Sequence, residues 1–191
     1  METVMRRAVL VAVVCGAVEG WAFSGGAPGC EISNSTMSSQ MGPTTLVSPD
    51  GWSLTTTGTS YLPGQTVTLS LSKAGSNSTF KGLLLWSKSA SGAFVGSFAT
   101  PSGFGSMAGC SLSTLTHTTA VAKPQRSFTW TAPGAGAGAV TFRAFVVVSS
   151  RNAWVELTPL TLTEGSTGTG GGAAGGSSGG GTAGGSAGGA A

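Results

Sequence analysis

Between residues 51 and 163 apolar and polar side chains alternate with a period of two. Val67, Leu69 and Leu71 interleave with Thr66, Thr68, Ser70 and Ser72, giving an extended segment one buried and one wet face. Tyr61-Leu62-Pro63-Gly64-Gln65 precedes it as a turn, with Pro63 fixing φ and Gly64 free to take a positive one. The same rhythm predicts strands over 52–57, 80–87, 93–98, 112–119, 127–131, 140–148 and 153–162. In the longest, Val140, Phe142, Ala144, Val146 and Val148 point to a core, while apolar Phe145 and Val147 predict partial cover on the opposite face. No segment shows a sustained helical period with caps. Seven to eight such antiparallel strands predict an all-β fold, an immunoglobulin-like β-sandwich, with a closed barrel as the alternative.

Both ends depart from this pattern. A basic start ending in Arg6-Arg7, an apolar run from Ala8 to Val18 and small residues at Gly20 and Ala22 predict a secretory signal peptide over 1–22. The run is shorter than the roughly 20 residues of a membrane span, so no stable membrane insertion is expected after cleavage; an uncleaved anchor is the alternative. From 165 to 191 the chain is Gly, Ser, Ala and Thr, with no large apolar group to offset the entropy of ordering. A disordered tail is expected there, without the hydrophobic end of a lipid-anchor signal. The sandwich domain is left with 23–164.

Charge narrows the classes further. The net charge of +3 survives cleavage, because two Arg and two Glu leave together. The remaining bases, Lys73, Lys81, Lys88, Lys123, Arg126, Arg143 and Arg151, are scattered singly without interleaved aromatics, so no nucleic-acid partner is expected. Cys15 lies in the signal segment, which leaves Cys30 and Cys110 as an even pair. In an oxidising compartment they predict a disulfide. Cys30 precedes the first clear strand, so the bridge is expected to tie the amino-terminal segment onto the sandwich rather than to join two core strands. Asn34-Ser35-Thr36 and Asn77-Ser78-Thr79 are N-glycosylation sequons in polar, turn-like stretches.

Several blocks stand in a fixed order: Gly26-Ala27-Pro28 with Cys30, Ser60-Tyr61-Leu62-Pro63-Gly64-Gln65-Thr66, Phe80-Lys81-Gly82-Leu83-Leu84-Leu85, Gly96-Ser97-Phe98, Cys110, Thr116-His117, Phe128-Thr129-Trp130-Thr131-Ala132-Pro133, Val140-Thr141-Phe142-Arg143-Ala144 and Trp154. As a set they resemble the reeler domain, an extracellular module of reelin, spondins, ferric-chelate reductases and small arthropod defence proteins. Between Met41 and the first strand the chain lacks the His-containing lead of many relatives. The heme-binding and electron-transfer domains of the reductases are missing too, so the resemblance does not imply reductase activity.

Candidate chemistry is sparse. His117 is the one histidine, and the acids Glu31, Asp50, Glu156 and Glu164 are too dispersed to suggest a carboxylate pair. No Gly-x-Ser-x-Gly elbow precedes a helix. No catalytic residue, cofactor or metal is expected. His117, between Leu115 and Thr119 on a strand, is expected to make a structural hydrogen bond to the Cys110 loop, with a ligand role as the alternative. Of the tryptophans, Trp130 and Trp154 read as core, whereas Trp86 beside Ser87 and Lys88 is the exposed candidate for stacking on a sugar. Lys81, between Phe80 and Gly82, places its charge outside. Trp86, Lys81 and His117 are therefore the candidate ligand contacts. The expected function is that of a monomeric, secreted, non-catalytic recognition or adhesion module for an extracellular protein or glycan. Alternatives are a defence protein binding microbial surfaces and the outer part of a larger membrane redox protein.

Overall fold

The computed structural model describes residues 23–166 apart from 76, 108 and 150. The expected signal peptide and nearly all of the expected tail lie outside the described residues. One helix, α1 (Asn34–Met41), is followed by β1 (Trp52–Thr55), β2 (Ser60–Tyr61), β3 (Thr66–Lys73), β4 (Thr79–Phe80), β5 (Gly82–Ser89) and β6 (Ser97–Phe98). Then come β7 (Phe104–Gly105), β8 (Thr114–His117), β9 (Lys123–Pro124), β10 (Arg126–Thr131), β11 (Val140–Val147), β12 (Trp154–Glu156) and β13 (Leu160–Glu164). Seven of these strands have four or more residues, in line with the expected number; the others are short edge pieces.

The strands form a four-stranded sheet, β1-β3-β10-β6, and a seven-stranded sheet, β2-β13-β11-β5-β8-β7 with β12 also on β11. β4 and β9 make a separate pair. The two main sheets meet over one core, to which the first contributes Leu69, Leu71, Phe128 and Trp130 and the second Leu85, Phe142, Val146 and Leu162. This is the expected all-β sandwich. Its aromatics meet edge to face, Trp130 on Phe142 with centroids 4.9 Å apart and Tyr61 on Trp130 at 5.6 Å, the favoured geometry for rings with a negative face and positive edge. Trp130 satisfies its indole N–H on Ser87 Oγ at 3.1 Å. Gly96, at φ +70°, passes so close to this indole that a Cβ there would lie 2.4 Å from it. One pairing departs from the antiparallel expectation. Ser60–Tyr61 runs parallel to Thr163–Glu164, because this two-residue edge piece is placed by the Tyr61 ring in the core rather than by a hairpin.

β5 is buried at each of its first six positions, so strict alternation fails there. Leu83 and Leu85 face the main core. Leu84 and Trp86 face the other way, joining Phe145 and Trp154 in a second apolar layer outside the sheet. The amino-terminal segment covers that layer with Phe23, Ala27, Ile32, Met37 and Met41. Helix α1, which the sequence reading did not anticipate, supplies the last two. Ser33 caps it by accepting from the Thr36 amide at 3.2 Å, and Met37 and Met41, four residues apart, bury one narrow stripe. Two apolar residues in eight are too few to produce a visible helical period.

The covering segment acts as a clasp with many small fastenings. Cys30 is bridged to Cys110 in the β7–β8 loop across 80 positions, as expected from the cysteine count. Ala27 N donates to Thr116 Oγ1 at 2.8 Å, Thr45 N to Asn152 O at 2.7 Å, and the Trp154 indole to Gly42 O at 2.9 Å. Lys88 pairs with Glu31 at 2.6 Å, and Asn34 donates to the Glu156 carboxylate.

The four-stranded sheet solves its outer face differently. Its register sets Thr66 opposite Thr131 and Thr68 opposite Thr129, with Ser97 beyond Thr131. Ser70 stands between Ser127 and Thr55, and Ser72 opposite Ser53. Every outward position of the sheet is thus a hydroxyl side chain.

Replacing both Cys30 and Cys110 by Ser releases a loop of this length and is expected to cost about 4–5 kcal/mol of stability. Urea unfolding of the oxidised wild type against the double variant measures it; equal midpoints would show that the other fastenings hold the clasp unaided.

Candidate functional site

Sequence singled out Trp86, Lys81 and His117, and the structure separates them. Trp86 is only 1% exposed. Its ring stacks on Phe145, centroids 6.2 Å apart, and Arg143 lies over it at 5.7 Å. The expectation of an exposed stacking platform is therefore corrected, because the clasp covers the face of β5 on which Trp86 stands. Trp52, Trp130 and Trp154 are buried as well.

His117 is buried at the end of β8 and bonded at both ring nitrogens. Nδ1 accepts from the Leu83 amide at 3.1 Å, which leaves Nε2 to carry the proton and donate to Phe23 O at 2.6 Å. The ring thus holds the start of the clasp against β5; its partners do not include the Cys110 loop expected from sequence. It also lines a shallow apolar cleft, open to solvent, between the sheet and Phe23, Pro28 and Ile32 of the clasp.

Lys81 is exposed beside that strand end. Its backbone carbonyl receives the ammonium of Lys123 at 3.1 Å, and Thr119 O and Val121 O complete a cage of three carbonyls. Lys123 is 7% exposed, and burial pushes its pKa down. The Phe104 ring lies 5.9 Å from this ammonium and 5.0 Å from the Arg126 guanidinium. Lys123 and Arg126 therefore gather at one end of the sandwich around Phe104, with the backbone of Lys81 beside them. Sequence reading missed this cluster because Lys81 lies far upstream of Lys123 and Arg126 in the chain; the β4–β9 pairing, with Phe80 opposite Lys123, brings them together.

Carboxylates are distributed in the opposite sense. Glu31, Asp50 and Glu156 are paired with Lys88, Lys73 and Arg143. Glu164 accepts the amides of Gly136 at 2.8 Å and Gly138 at 2.6 Å, which hold its pKa below the usual carboxylate range. The Tyr61 hydroxyl, donating to Gly138 O at 2.7 Å, is pushed up by burial and then by the Glu164 charge, so it stays a neutral donor. All four acids among the described residues are thus committed internally, and the bases around Phe104 have no carboxylate partner. Among the described residues no three His, Cys, Asp or Glu side chains are grouped as a metal site. No described helix is long and apolar enough to cross a membrane.

Fold and site define the class as an immunoglobulin-like β-sandwich module whose amino-terminal clasp is disulfide-held and whose one end is basic. The chain belongs to the reeler domain family, whose profile matches residues 33–169. The crystal structure of the Reelin-N domain of F-spondin is similar at TM-score 0.56 and 23% identity, over 69% of this chain and 96% of that one. The human F-spondin reeler domain is similar at TM-score 0.51 and 23% identity, over 60% and 88%. No curated protein matches.

Two outcomes follow. Lys123→Met leaves three carbonyls without their donor and is expected to lose about 1–3 kcal/mol in thermal or urea unfolding; an unchanged or raised stability would refute the cage. A depressed folded-state pKa at Glu164 means its contribution is present above the ordinary carboxyl pKa and is lost as pH falls through the lower folded value. Glu164→Gln is therefore expected to be less stable than wild type at neutral pH and to converge with it in acid; a gap constant with pH would contradict this.

Proposed function

We propose that this chain is a secreted, non-catalytic recognition or adhesion module whose basic end binds an acidic extracellular ligand. The observation that carries the reading is the charge division: acids are consumed in internal pairs, while Lys81 and Arg126 stand at one end without a carboxylate partner. Such an end attracts polyanions through a field that salt screens. Family membership supports the reading, because reeler modules resemble one another in extracellular proteins of otherwise different architecture. Secretion is supported by the amino-terminal pattern and by the disulfide. The exposed sequons fit the same route. Asn77 lies in the β3–β4 connection and Asn34 in the first turn of α1, and both are exposed.

The test is chromatography of the secreted protein on a sulfated polysaccharide and, separately, an extracellular-matrix pull-down, both across a salt series. Wild type is expected to be retained at physiological ionic strength and Lys81→Ala/Arg126→Ala to elute earlier. A flow-through of wild type on both, or equal retention of the variant, would sink the assignment. Retention only on bacterial or fungal cells would favour a defence role instead.

A further inference from the structure

The hydroxyl face of the four-stranded sheet is remote in chemistry from the basic end and has no part in the function proposed above. We propose that this face binds ice. Successive outward residues along a strand repeat at about 6.6–6.8 Å, and neighbouring strands lie about 4.7–4.9 Å apart, so the side chains paired across β3 and β10 approximate a rectangular net, skewed by the strand twist. Its centre is the set Thr66, Thr68, Thr129 and Thr131, exposed and directly opposed across β3 and β10. Ser70 and Ser127 extend the net and hydrogen-bond to each other at 2.9 Å. Oxygens on the prism faces of hexagonal ice form a rectangular net of comparable proportions, so waters seated on the hydroxyls fall where lattice waters belong.

Three properties of the face favour a solid of water over other partners. It carries no charge at any outward position, and a charge would hold water in orientations that ice does not use. Thr is stiff at χ1, so the net is held in place before contact and little entropy is lost on docking. Protein partners are selected by buried aromatics, Met and Arg, with Ser depleted. Sugar rings stack on aromatic faces, and all four described tryptophans are buried. An uncharged net of hydroxyls and methyls has neither kind of anchor.

The experiment uses the full secreted chain in growing polycrystalline ice and in a recrystallisation assay, with thermal unfolding as the check on folding. Wild type is expected to accumulate in the ice fraction and to slow recrystallisation. Thr68→Lys/Thr129→Lys, at the centre of the net, is expected to lose both effects, and Thr161→Lys, on the other sheet, to keep them. Should the double variant misfold, Thr68→Lys alone makes the same comparison. Exclusion of wild type from ice overturns the proposal, as does equal loss in Thr161→Lys. Sedimentation with crystalline cellulose or chitin but not with ice also overturns it, in favour of a polysaccharide. An intact mass showing glycans on these hydroxyls overturns it in favour of a modified face. Because the basic end is untouched by these variants, failure here leaves polyanion binding unaffected.

Discussion

Everything in this molecule follows from the need to bury both sides of the β5–β11 pair. One side belongs to the sandwich core. The other presents Leu84, Trp86, Phe145 and Trp154, a continuous apolar surface that a monomer in water would expose only at high cost. The amino-terminal segment laid over it is irregular apart from helix α1, and irregular chain has little of its own to hold it down. Hence the fastenings are chemically varied: a covalent bridge, a capped two-turn helix, a histidine bonded at both nitrogens, and two acid-centred contacts. Each one supplies a partner that the sheet would otherwise leave for solvent.

The same constraint explains which parts could be read from sequence. Strands with one wet face were legible, since their alternation is a direct record of burial; β3 and β10 are the cleanest cases. The apolar Phe145 and Val147 announced a cover without identifying it. Trp86 misled because its neighbours Ser87 and Lys88 look like a solvated strand end. Only knowledge that a segment some fifty residues upstream folds back could place it inside. Helix α1 was invisible for the opposite reason: its packing rests on two methionines, and its other residues are polar. Lys123 carried no local sign of burial at all. Its cage is made of backbone carbonyls, which every sequence possesses, and their convergence is a property of the fold.

Charge is organised by the clasp as well. Two of the four acids, Glu31 and Glu156, bind groups on opposite sides of the seam between clasp and sheet. With Asp50 and Glu164 also engaged, the exterior is left positive by subtraction rather than by any basic run in sequence. Such bases are weak individually, since exposed pairs contribute little and salt screens them. Their concentration around Phe104 makes them a directional feature, because the field of several cations at one end adds where scattered ones would not.

The two sheets therefore illustrate two answers to one problem. A sandwich always has two outer faces, and a chain with only 8% charged residues lacks the Lys and Glu that usually wet them. On the seven-stranded sheet the β5, β11 and β12 part of the outer face carries apolar side chains and is sealed by the clasp. On the four-stranded sheet the outer face is filled with Ser and Thr, whose β-propensity and polarity satisfy strand and solvent together. The second answer needs no cover, so that face stays available, flat in chemistry and fixed by a core on its other side. A surface so placed differs from a loop-borne site: its spacing is dictated by the hydrogen-bond ladder beneath it, and any partner it selects must match a lattice rather than a shape.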